Sequence, residues 1–222
     1  MQVVIDGPAG AGKSTVARRL ADRLDAFYLD TGAMYRACTL RALRQGVDLA
    51  DSAVLAEVVD GAAIELLPEG AAGQCRVLLD GEDVSAEIRT REVTNAIHHL
   101  ANCPAVRERL VAQQRALAER IAGHVVAEGR DLASVVFPRA EVKVYLDASV
   151  EERARRRQAD HGDQTPLDEL RREISARDQR DQSRAVGPLV RVPEAAYIDC
   201  SDLSIDEVVE RLAGLVEAAG GE

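Results

Sequence analysis

A parallel β-sheet covered by helices on both faces, an α/β fold, is predicted by three observations. Short apolar runs alternate with longer stretches of helical period. Those runs, at residues 3–6, 26–29, 124–127, 142–147 and 196–199, number five. A glycine-rich turn stands between the first run and the first helical stretch, where α/β folds gather their ligands.

Each element has its own local reason. Residues 14–24 place Val16, Leu20 and Leu24 on one stripe of an amphipathic helix. A second helix is expected over 104–122: Pro104 suits its first turn, Val106, Leu110, Leu117 and Ile121 form its apolar face, and Gly123 is placed to end it. A third runs over 204–218, with Ser204 and Glu207 at the spacing of a capping box. Residues 60–90 break the rhythm. There Ile64-Glu65-Leu66-Leu67, a turn at 68–73 and Arg76-Val77-Leu78-Leu79-Asp80-Gly81 read as an insert with its own antiparallel strands. Residues 151–164 and 168–184 are charged and helix-prone, separated by Gly162 and Pro166.

The chain of 222 residues is long enough to bury roughly 70% of its unfolded surface, which excludes disordered, collagen-like and coiled-coil classes. The expectation is one domain, residues 1–222, carrying an excursion. With 38 acidic and 28 basic residues the formal charge is −10, so neither nucleic acid nor an anionic membrane is an expected partner. An anionic substrate then needs a local pocket of cations. Lys13 and Lys143 are the only lysines among the basic residues, so a lone arginine says little and only meaningful spacings count. Cys38, Cys75, Cys103 and Cys200 form no CxxC pair, and His98 and His99 near Cys103 complete no metal site. The cysteines read as buried apolar residues in a reducing compartment. There is no basic leader and no run of about 18 apolar residues, so a cytoplasmic protein is expected, and a monomer.

The most specific signal is Gly7-Pro8-Ala9-Gly10-Ala11-Gly12-Lys13-Ser14, a full G-x-x-x-x-G-K-[ST] phosphate loop followed by Thr15. Inward-turned backbone N–H groups form an anion nest, and the helix beginning near Lys13 adds the positive end of its dipole. Lys13 can reach the β- and γ-phosphates, and the Ser14 hydroxyl can ligate Mg²⁺. No N-K-x-D guanine motif and no D-x-x-G turn occurs, so ATP rather than GTP is the expected donor.

Phosphoryl transfer brings two anions together and needs cations beyond the loop. Thr31 and Arg36 follow the second strand, where Thr31 reads equally as a helix cap or as a ligand. Arg130 and Asp131 follow the third strand, in a turn that is either functional or merely superficial. Arg177, Asp181 and Arg184, at offsets of four and seven, fall within roughly 60° of one helix face. That triplet is either a solvated face or a site, the second favoured by the abrupt change to Ala185-Val186-Gly187-Pro188-Leu189, which suggests packing against it. Arg153, Arg155, Arg156 and Arg157 sit on a helix that is either a closing lid or plainly solvated.

Together with Gly81-Glu82-Asp83-Val84-Ser85, Ile88-Arg89-Thr90 and Arg184-Ala185-Val186, these segments closely resemble the bacterial cytidylate kinase family over essentially the whole chain. The resemblance implies a three-layer nucleoside monophosphate kinase fold: a five-stranded parallel sheet, a helical lid over 151–167, and an acceptor-binding region over 31–103 enlarged by the insert. It implies MgATP and CMP or dCMP as substrates. Gly7, Pro8, Ala9, Gly10, Ala11, Gly12, Lys13, Ser14, Thr15, Arg156 and Arg157 then hold ATP. Arg36, Arg130 and Arg184 become acceptor-phosphate and transition-state cations, with Lys13, Arg130 and Arg184 catalytic; Arg177 and Asp181 contact the pentose, Thr31 keeps a hydroxyl, and Arg107 and Asp131 read the base. His98 stands where the family commonly has serine near the base, and its role is left open between base contact and helix surface. The nucleophile is an already anionic phosphate oxygen, so no general base is required. Rival readings are a kinase for another small acceptor, such as UMP, and an ATP-sensing module without transfer.

Overall fold

The computed structural model describes residues 1–67, 75–161 and 165–220. The elements are β1 (Gln2–Asp6), α1 (Lys13–Arg23), β2 (Phe27–Asp30), α2 (Thr31–Gln45), α3 (Ser52–Asp60), β3 (Ile64–Leu67), β4 (Arg76–Leu79), β5 (Glu82–Asp83), α4 (Arg91–Asn102), α5 (Pro104–Arg120), β6 (Val125–Gly129), β7 (Val142–Asp147), α6 (Val150–His161), α7 (Leu167–Gln182), β8 (Ala196–Asp199) and α8 (Ile205–Gly220). A five-stranded parallel sheet has the order β2-β6-β1-β7-β8. Each expected strand is present, its bounds shifted by no more than two residues.

The chain forms two compact units, Met1–Ala26 with His124–Glu222, and Phe27–Gly123. In the first, β1 is central, and Val3, Val4 and Ile5 are at most 1% exposed. An all-apolar run is what a strand covered on both faces requires. Its neighbours are in register so that Ile5 lies beside Glu128 and Val144, and Asp6 beside Gly129 and Tyr145. The strand ends therefore bring Asp6 and Glu128 to one edge of the sheet. Helix α1 buries Val16, Ala17, Leu20 and Ala21. At α8 the capping box forms as expected: the Glu207 carboxylate accepts from Ser204 N at 2.8 Å, and Ser204 Oγ accepts from Glu207 N at 3.3 Å. Helices α6 and α7 pack through Val150, Ala154, Leu167, Leu170 and Ile174.

In the second unit β3, β4 and β5 make a separate antiparallel sheet. The insert is thus a three-stranded meander rather than two strands. The second strand stops at Leu79, because Asp80 and Gly81 have φ of 53° and 83° and turn the chain directly into β5. The turn expected at 68–73 and the break at Gly162 lie outside the described residues. Helix α5 also ends early: Ile121 is already extended, so Gly123 lies beyond the helix and does not terminate it. Helix α4, which carries His98, buries Val93, Ala96, Leu100 and Ala101. No helix among the described residues is long and apolar enough to cross a membrane.

Candidate active site

The phosphate loop joins β1 to α1, and two of its glycines are sterically required. A Cβ on Gly7 would stand 2.0 Å from the carbonyl oxygen of Leu146 on β7, so the loop passes the sheet where no side chain fits. Gly12 caps α1 with φ 89°, a left-handed geometry that lets its carbonyl accept from Thr15 N and Val16 N at 3.1 Å each. The free N–H groups of the helix start therefore face the loop.

Lys13 is buried, and its Nζ donates to the Pro8 carbonyl at 2.8 Å. Burial pulls its ammonium down to about 7, and the positive charges of Arg130 and Arg177 add to that pull, while Glu128 and Asp6 oppose it. Three cations that the sequence reading assigned to one reaction are therefore electrostatically coupled. Arg130 donates through Nε to Asp181 Oδ2 at 3.0 Å, and Arg184 pairs with Asp181 Oδ1. One buried carboxylate thus orders two guanidiniums. Burial works to raise the Asp181 carboxyl, but Arg130, Arg184 and Arg177 outweigh it and hold the group below the ordinary range.

The shared-face account of Arg184 needs correction, because α7 ends at Gln182 and Arg184 reaches Asp181 by folding back from beyond the helix. The apolar segment after it is also mixed. Leu189 is buried with Tyr145 and Ala195, whereas Val186 is exposed.

Two acidic residues without an assigned role complete this group. Glu128 Oε1 accepts from Ser14 Oγ at 2.5 Å. Asp6 accepts from Leu132 N at 2.9 Å and Ala133 N at 2.8 Å, and burial raises its carboxyl to about 6 against those bonds. Asp6 is the last residue of β1 and Glu128 the penultimate residue of β6, each immediately before a glycine at the carboxyl edge of the parallel sheet, a position that marks both as candidates from sequence. Among the described residues no three of His, Cys, Asp or Glu gather as a metal cage. A hydroxyl and a carboxylate beside the phosphate loop are nonetheless hard oxygen donors, which fits Mg²⁺, an ion bound through few protein oxygens and the phosphates themselves.

Asp131, 7% exposed, begins a single π-helical turn over Leu132–Val136, its carbonyl accepting from Val135 N at 2.8 Å. On α6, Arg156 donates to the carbonyls of Ala11 at 3.3 Å and Cys200 at 2.7 Å and pairs with Glu152 at 3.0 Å. Arg157 turns instead to Glu173 of α7, at 2.9 Å.

In the second unit the cap of α2 is Asp30, whose carboxylate accepts from Ala33 N at 2.9 Å; Thr31 is the first helical residue and does not cap the helix. Arg36 donates to Thr94 Oγ1 at 2.8 Å and to the Ile88 carbonyl at 3.1 Å, which aims one guanidinium across the α2 and α4 pair. Arg107, 3% exposed on α5, donates to the Tyr35 hydroxyl at 3.4 Å. His98 places Nδ1 2.7 Å from the Asn95 carbonyl, so Nδ1 is the donor in that contact.

The cytidylate kinase family model matches residues 3–218. A cytidylate kinase of Exiguobacterium sibiricum is 50% identical over 222 residues, covering 99% of this chain and 98% of its own length. One from Geobacillus kaustophilus is 50% identical over 219 residues, covering 97% and 96%. A solved shikimate kinase from Bacteroides thetaiotaomicron superposes with a TM-score of 0.50 at 17% identity, covering 98% of each chain, and shares the fold.

Proposed function

This chain belongs to the cytidylate kinase family, and from that premise we propose that it transfers the γ-phosphoryl group of ATP to CMP or dCMP, giving ADP and CDP or dCDP. The observation that carries the reading is the coupling of buried Lys13 to Arg130 and Arg177, with Arg130 and Arg184 clamped on one buried carboxylate. In a chain of charge −10, such a local concentration of cations is what two phosphate groups need. An ATP sensor without transfer has no use for the second set.

In this reading the loop amides and Lys13 hold the β- and γ-phosphates, and Arg36, Arg130 and Arg184 take the acceptor phosphate. The attacking oxygen is already anionic, so the residues align and neutralise rather than remove a proton. Ser14 and Glu128 would hold Mg²⁺, which when bound supplies further neutralisation of the transferring group. Arg156, whose guanidinium lies by Ala11 and Cys200, is assigned to ATP, and Arg177 and Asp181 to the pentose. Asp131, Arg107 and His98 are assigned to the base. Cytosine presents an amine where uracil presents a carbonyl, so a carboxylate placed there rejects UMP.

A coupled ADP-release assay over CMP, dCMP, UMP, AMP and shikimate tests the proposal. The expected result is MgATP turnover dependent on CMP or dCMP and at least about tenfold weaker with UMP. Equal rates with all acceptors, or ATP binding with no acceptor-dependent release, would overturn it.

A further inference from the structure

Arg153 and Asp178 have no part in the roles assigned so far, yet both are buried, at 4% and 9% exposure. Asp178 Oδ2 accepts from Arg153 Nη1 at 2.6 Å. The same guanidinium donates to the Ala9 carbonyl in the phosphate loop at 3.1 Å and to the Ala148 carbonyl at the end of β7 at 2.9 Å. Its stem also walls the loop, since a Cβ on Gly10 would meet Arg153 Cβ at 3.3 Å.

A buried ion pair adds little stability, because desolvation offsets its attraction and apolar side chains of similar volume do as well or better. Stability is an even weaker reason here, as Asp178 Oδ1 is buried with no hydrogen-bond partner among the described residues. What the pair does accomplish is directional. The Ala9–Gly10 peptide bond is trans, so the Ala9 carbonyl and the Gly10 N–H lie in one plane and point in opposite directions within it. Fixing that oxygen against Arg153 of α6 therefore turns the Gly10 N–H away from that helix. Asp178 in turn is flanked on α7 by Arg177 and, three residues on, by Asp181, the carboxylate that orders Arg130 and Arg184. One helix thus fixes the loop with one residue and the cations with the next turn.

We propose that Arg153, oriented by Asp178, is a positioning residue for phosphoryl transfer: it holds the phosphate-loop carbonyl outward and registers the loop amides against the cations ordered by α7. The proposal rests on the kinase reading, and its test separates the two. The variants are Arg153→Met, Arg153→Lys, Asp178→Asn and the double Arg153→Met/Asp178→Leu, each assayed for kcat, KM, Tm and calorimetric ATP affinity.

Arg153→Met is expected to lower Tm, because it strands a buried carboxylate. The apolar double variant is expected to recover the lost Tm while kcat stays about 100-fold down, a loss typical of misplacement by about an ångström. KM for CMP should move less than about twofold in it. Arg153→Lys, which keeps the charge but cannot reach three acceptors, is expected to fold and to bind ATP about tenfold more weakly. Asp178→Asn keeps an acceptor oxygen and should retain most of the turnover. Recovery of kcat together with Tm in the double variant would reduce the pair to packing and overturn the proposal. If the double variant does not fold, wild-type ATP affinity in Arg153→Lys overturns it equally. Should the wild-type protein release no ADP with any acceptor, the kinase reading falls, and the calorimetric comparison still decides the positioning role.

Discussion

Lys13 is subject to two opposed effects: burial, with the charges of Arg130 and Arg177, drives off the proton that phosphate chemistry needs, and the carboxylates of Glu128 and Asp6 favour keeping it. In Lys13→Ala the backbone nest survives but the cation is gone. We expect a folded protein whose kcat is lower by at least about 100-fold; a circular dichroism spectrum like the wild type's with unchanged turnover would remove Lys13 from the mechanism. Asp131→Ala is expected to leave CMP turnover measurable but to reduce the CMP to UMP ratio of kcat/KM by about tenfold or more. An unchanged ratio would take Asp131 out of base recognition. At this scale sequence alone marked Lys13, Ser14, Arg130 and Asp181 as candidates, each lying in a recognisable string. It gave no role to Glu128, which becomes a partner only because β6 lies beside β1 and sets it against Ser14, 114 positions away in the chain.

At the scale of elements, the loop between β1 and α1 is the segment least free to vary. A methyl group on Gly7 would meet a main-chain oxygen that cannot move without displacing β7. Gly7→Ala is therefore expected to lower Tm by at least about 5 °C in thermal unfolding and to abolish ATP binding; retention of both would mean that the loop and strand yield. Strands and helices with strong periodicity, such as β1, β7 and α8, were legible because burial on known faces writes the pattern directly into the residues. Element ends were not. Helix α7 stops at Gln182, two residues before Arg184, and α2 is capped by Asp30 rather than by Thr31. Both outcomes depend on which neighbouring group satisfies a backbone end, and periodicity does not report that.

For the molecule as a whole, the buried lysine couples folding to pH. In the unfolded chain Lys13 keeps its proton to about 10.5, whereas in the folded protein it loses it near 7. Between those values the unfolded state binds more protons, so this group makes the fold more stable as pH rises from 7 toward 10.5, and no further change follows below 7. Urea unfolding of wild type and Lys13→Met at pH 7, 8 and 9 measures the effect. The variant should be more stable than wild type at pH 7, and its advantage should shrink steadily with rising pH. A difference that is flat with pH would contradict a lysine whose hold on its proton is weakened by its surroundings.

The order of strands and helices, the phosphate loop and the acidic balance of the chain all follow from local strings of residues, since hydrophobic period, glycine spacing and charge act on near neighbours. The pairing of Ser14 with Glu128, the clamp of Asp181 on Arg130 and Arg184, and the reach of Arg153 from Asp178 to Ala9 do not. Those contacts come from parallel strands brought into register and from helices packed face to face. Side chains far apart in the chain then share one dry environment, where distance rather than sequence order sets their charge and direction.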